Sequence, residues 1–214
     1  MKALIDNDIL YKGACYGILS RICGSLNCAE KDIGALGAAR FVVRKKIKRA
    51  MLSGGAEIVL KRLAVFLAGA HTLEPRPQEQ SLAADLEAAA QFNGLGLHEG
   101  ESQLCAILIM RGVSTLLTGD KVAIAAIEQL LSAEPRMLPI SGKVKCLEQL
   151  VVSIIDGGDP ASLRPNICAE PTVDVALSIC FSCSSPHAMP ASIMDGLDSY
   201  IRELRATARR TLAP

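Results

Sequence analysis

EGESQLCAILIMRGVSTLLTGD, residues 99–120, sets out a helix, a tight turn and a short strand in that order. Glu99 to Arg111 reads as a helix whose first turn carries two acids, Glu99 and Glu101, favourable beside the positive end of the helix dipole. Gly112 ends the helix, and the apolar run Val113 to Leu117 reads as a buried strand that stops at Thr118-Gly119-Asp120. Helix, short turn and strand form the second half of a right-handed crossover between parallel strands. The N-terminus supplies another such strand, residues 2–6, which closes on the acid of Asp6-Asn7-Asp8. In an open parallel sheet the carboxyl ends of the strands line one crevice, where ligands bind. Carboxylates gathered there raise one another's pKa unless a cation lies between them, which points to a hard divalent metal held by oxygens.

Outward from this unit, the pattern predicts helices over about 8–23, from near Ala29 onward, over about 56–69, and from a cap at Ser81 through Phe92. After Asp120 it predicts a helix to about 132, a strand over 137–140 and a helix over 142–155. Asp156-Gly157-Gly158-Asp159-Pro160 breaks the chain, and two more helices follow near 172–183 and 190–210. The expected fold is α/β: a three-layer α/β/α sandwich around a short, mostly parallel sheet. The domain comprises residues 1–155, with a helical insertion around 27–92, and residues 156–214 form a C-terminal helical extension.

At 214 residues the chain is long enough for a substantial core. Half of it is apolar, yet 3% is aromatic and Trp is absent, so the core must be aliphatic. A formal charge of +1 excludes a general polyanion binder, and nucleic-acid affinity would have to come from local patches. No apolar run is long enough to span a membrane. Asp6 arrives before any signal-like apolar run, and the eight cysteines lie mostly in apolar segments, so reduced thiols and a cytoplasmic location are expected. Cys180 and Cys183 with His187 have zinc-like spacing but lack a second ligand pair, and buried thiols are the expectation.

Taken together, Leu4-Ile5-Asp6-Asn7-Asp8, His98-Glu99-Gly100-Glu101 and Leu117-Thr118-Gly119-Asp120 resemble the three motifs of the PIN domain nucleases, including toxin ribonucleases of toxin–antitoxin modules. Asp6 stands in the first acid position and Asp8 where Asn is usual. Glu101 stands in the second and Asp120 in the third. The resemblance covers about residues 1–155. It implies catalytic acids Asp6, Glu101 and Asp120, with Asp8 as a further metal ligand. Its implied activity is endoribonuclease hydrolysis of phosphodiesters with Mg²⁺ or Mn²⁺, and its implied partners are RNA, an antitoxin-like protein and a second copy of the chain. Many members place a further acid shortly after the third. Here Lys121, Val122, Ala123 and Ile124 follow Asp120, which leaves open one metal or two, with Asp156 or Asp159 as substitutes from a later loop.

Basic residues cluster at Arg40, Arg44, Lys45, Lys46, Lys48 and Arg49. Arg44, Lys45, Lys48 and Arg49 are the expected phosphate contacts, against the plainer reading of a solvated helix face. Two other functions compete. A degenerate module of the same fold would bind nucleic acid or protein without cleaving, and the missing acid favours it. A haloacid dehalogenase-type phosphatase would use Asp6 as nucleophile and Asp8 as general acid, but it leaves Glu101 unexplained.

Overall fold

The computed structural model describes residues 1–156 and 158–214. Gly157, in the turn read at the end of the first domain, lies outside the described residues. The chain forms a three-layer α/β/α sandwich around a five-stranded sheet in which every pairing is parallel.

The first strand, β1 (Ala3–Ile5), is fully buried and lies at the centre of the sheet. Helix α1 (Asn7–Tyr16) follows at once and ends at Gly17, whose φ of 67° lies in the left-handed region that glycine adopts without strain. Helix α2 (Leu19–Ser25) then runs separately, so the single helix expected over 8–23 is two. A 3₁₀ turn leads into β2 (Ile33–Leu36), where a helix was expected. The cause is burial on both faces: Ile33-Gly34-Ala35-Leu36 is a short apolar run of the kind that periodicity cannot assign. Gly34 fits there because a Cβ would collide with Met1 and Leu73.

Next come α3 (Ala39–Arg49), α4 (Ala56–Gly69) and β3 (His71–Leu73). The stretch 27–92 is therefore not a helical insertion; it contributes two of the sheet's strands. Helix α5 (Pro77–Phe92) starts on its proline, which has no N–H to lose in the first turn, so Ser81 is an interior residue and not a cap. Helix α6 (Glu99–Arg111), Gly112 at a φ of 63°, and β4 (Thr115–Leu117) match the unit read from sequence. After α7 (Lys121–Ala133), residues 135–140 form a 3₁₀ helix begun by Pro135, and the expected strand is displaced to β5 (Val144–Lys145). Helix α8 (Leu147–Ile155) completes the layer.

The remaining helices are α9 (Arg164–Ala169), α10 (Val175–Cys180) and α11 (Pro190–Thr207). They do not form a separate extension. Leu163, Ile167, Leu177, Phe181, Ile193 and Leu197 share one buried cluster with Ile5, Ile9 and Leu117. Burying side chains of this size stabilises by about 1.5–3 kcal/mol each, which ties the C-terminal third to the sheet. Cys168 and Cys183 form a disulfide, correcting the expectation of reduced thiols throughout. The short helices α9 and α10 fold back on each other and bring the two Cα atoms to 5.0 Å. Cys180 is a buried free thiol. Among the described residues no helix is long and apolar enough to cross a membrane.

Candidate functional site

The strand order β3-β2-β1-β4-β5 reverses direction between β1 and β4. At such a switch point the connections leave to opposite faces, and a crevice opens at the carboxyl ends of the two strands. Asp6 follows β1 directly and Asp120 follows β4 by three residues, so both acids stand at this crevice.

Both also cap helices. Asp6 Oδ1 accepts the Ile9 N–H at 2.8 Å and so holds the start of α1. Its Oδ2 accepts a short hydrogen bond from the Thr118 hydroxyl. The Asp120 N–H donates to that same hydroxyl at 3.2 Å, so Thr118 couples the two acids. Asp120 Oδ1 in turn accepts the Val122 and Ala123 N–H groups at 2.8 and 3.0 Å, which leaves Oδ2 outside the capping bonds. The strand-end acids thus satisfy helix N-termini as the plainer reading of each predicts, and they converge as well.

Glu101 approaches from the first turn of α6. Its Oε2 is buried and has no hydrogen-bond partner. Burial pushes the Glu101 carboxyl above its ordinary range, and the charge of Asp120 adds to this. Asp6 is pushed up to about 7, first by burial and then by the charges of Asp8 and Glu101, against the opposing hydrogen bonds from Ile9 and Thr118. The structure therefore brings Asp6, Glu101 and Asp120 to one crevice, each within electrostatic reach of the next. Comparison of the chain with protein-family models, with curated proteins and with solved structures found no match. What the site does must be read from its own chemistry.

Asp8 has a different environment. Lys12 meets its Oδ2 at 2.5 Å and Lys46 its Oδ1 at 3.2 Å. Its carboxylate lies so close to Gly119 that a Cβ there would collide with Oδ2, which explains the glycine of Thr118-Gly119-Asp120. Lys12 is shared with Asp174, at 2.8 Å, from the N-cap of α10. Burial alone would lower the Lys12 pKa, but the two carboxylates more than offset it and raise it above the ordinary value. Beside this chain of charges, Lys121 pairs with the buried Glu148 at 2.7 Å and covers the Tyr200 ring.

Lys12, Lys46, Glu148 and Asp174 were not read as site residues from sequence. Lys12 left a visible signal, four residues after Asp8 on one helix face. Asp174 and Glu148 left none, since only the fold brings them in. Asp156 caps the carboxyl end of α8, and Asp159 accepts the Ala161 N–H at 2.9 Å. Of the four expected phosphate contacts, all are exposed on α3. Lys45 and Arg49 line a groove with Lys46 and Tyr11, while Arg44 and Lys48 lie outside that lining.

Among the described residues no three acidic, His or Cys side chains stand as a preformed metal cage. The donor set nevertheless fits a hard cation. Glu101 Oε2 is an orphaned buried carboxylate oxygen, Asp120 Oδ2 is outside its capping bonds, and Asp6 is held near the point of losing its proton. A cation among these oxygens would offset the burial and like-charge repulsion that raise the Asp6 and Glu101 carboxyls.

Proposed function

We propose that the protein is a metal-dependent endonuclease that hydrolyses phosphodiester bonds in RNA, with Asp6, Glu101 and Asp120 as the residues that would hold Mg²⁺ or Mn²⁺. The observation that carries this reading is the unpartnered, buried Glu101 oxygen beside two helix-fixed acids at the sheet's switch point. When bound, the metal supplies an activated water and neutralises charge developing on the phosphate.

The chain's own residues supply orientation. Ile9, Val122 and Ala123 hold the Asp6 and Asp120 carboxylates through main-chain N–H groups, which fixes the direction in which these acids face. The Thr118 hydroxyl fixes the spacing between them. The exposed cations of α3 add sequence-blind affinity for a phosphate backbone. An antitoxin-like partner and a second copy of the chain belong to this proposal through the family resemblance only.

The test is incubation of labelled single-stranded RNA with the protein and Mg²⁺ or Mn²⁺. Cleavage should require metal, stop on chelation, and disappear in Asp6→Asn and Glu101→Gln. Cleavage that survives chelation and both substitutions would place the reaction elsewhere.

A further inference from the structure

Asp8 faces two ammonium groups. Both of its oxygens are engaged, Oδ2 by Lys12 and Oδ1 by Lys46. Lys12 is fixed from the other side by Asp174, and its side chain is 12% exposed. Lys46 is freer, with half of its side chain exposed, and its ammonium lies 4.3 Å from the centre of the Tyr11 ring. An ammonium has three donors, so each lysine keeps at least one beyond its carboxylate partners. Two carboxylates, Asp8 and Asp174, are matched by two ammoniums. Lys45 and Arg49 line the same groove as Lys46 and add two further cations along it.

We infer that Lys46 and Lys12, anchored on Asp8, form a phosphate-contacting pair for the nucleic-acid strand, and that Asp8 holds these lysines and is not a metal ligand. The inference rests on the nuclease reading above, and it gives Lys12, Asp8 and Asp174 a role that reading leaves unassigned. It also accounts for the chemistry around Asp120, where the resemblance implies another acid and this chain has Lys121. Positive charge beside the three acids can bind the strand's non-bridging phosphate oxygens without a second metal. Asp174 acts as a positioning residue, since it reaches the strand only through Lys12.

The alternative is an ion-pair cluster that ties α1 to α3 and α10 and touches no substrate. Binding of a 2′-O-methylated single-stranded RNA in EDTA, followed by fluorescence anisotropy across a salt series, separates the two. One phosphate contact to a single strand contributes about 0.7 to the log–log salt slope, roughly fivefold in affinity at 0.1 M salt. Lys46→Gln should lose about that much in both, and Lys46→Arg should recover it. Lys46 is half exposed, so its loss leaves the core intact, and circular dichroism checks this. Calorimetric titration with Mn²⁺ supplies the second readout: Asp8→Asn should keep Mn²⁺ affinity while losing RNA affinity as Lys46→Gln does. Unchanged affinity and slope in Lys46→Gln, or lost Mn²⁺ binding in Asp8→Asn, overturns the inference. A wild-type protein that binds no Mn²⁺ and cleaves nothing overturns the nuclease reading instead, and the RNA affinities still decide whether the lysine pair contacts phosphate.

Discussion

Asp6→Asn should stabilise the metal-free protein at alkaline pH while it destroys the proposed activity. The Asp6 carboxyl is 4% exposed, and its pKa stands at about 7 against 3.8 for an unhindered aspartate. A folded-state pKa above the unfolded one means that the native state holds the proton more tightly. The stability contributed is full below the unfolded value, falls as pH rises from about 4, and is gone above about 7. The step corresponds to roughly 4 kcal/mol in total, of which about 2–3 kcal/mol is lost between pH 5 and pH 8. Asparagine cannot ionise, and its carbonyl oxygen can still accept the Ile9 N–H. Urea denaturation in EDTA at these two pH values measures the effect: wild type should lose about 2–3 kcal/mol more than Asp6→Asn on going to pH 8. Saturating Mn²⁺ should reverse the order at pH 8, because only wild type gains by binding in the native state. Parallel losses in the two proteins without metal would refute the assignment of Asp6 as a buried, strained carboxylate.

Glu79→Ala should cost about 3 kcal/mol in the same denaturation assay, because Glu79 is 1% exposed and its two oxygens each receive an Arg111 N–H at 2.7 Å, leaving the guanidinium without its partner. On α3, the double substitution Lys45→Gln with Arg49→Gln should lower the salt slope of RNA binding by about 1.4 for all sequences, with Mn²⁺ affinity unchanged. The pair Arg44→Gln with Lys48→Gln, which points away from the groove, should change the slope less; an equal change would mean that the whole helix faces the strand.

The parts of the fold that sequence displayed were those with punctuation. Gly112 marks the end of α6, and Gly119-Asp120 marks the end of β4 and the cap of α7, so the unit from Glu99 to Ala133 could be read closely. The strands at Ile33–Leu36 and His71–Leu73 were missed for opposite reasons. The first is apolar on both faces and carries no period, while the second is three residues long with two of them exposed. Neither pattern resembles a half-buried strand with alternating faces. At the site, Asp6, Glu101 and Asp120 were legible because each stands at the boundary of an element. The lysines that hold Asp8 were not, since a charged residue on a helix face looks the same whether it meets water or a partner from another helix. Asp174 lies on a segment read as an extension, and only the shared core shows that it returns to the sheet.

The central position of β1 has a consequence for the order in which the molecule assembles. Its neighbour on one side begins 30 residues later, at Ile33, and on the other side the pairing waits for Thr115. The hydrogen bond from Thr118 to Asp6 spans 112 residues. Closing the longer loop costs about 1 kcal/mol more chain entropy than closing the shorter one. Topologies that depend on such distant pairings fold slowly. The acidic crevice is therefore late in synthesis: a ribosome-bound chain can already include β1, β2 and β3 while Asp6 still lacks both of the acids that stand with it in the finished fold.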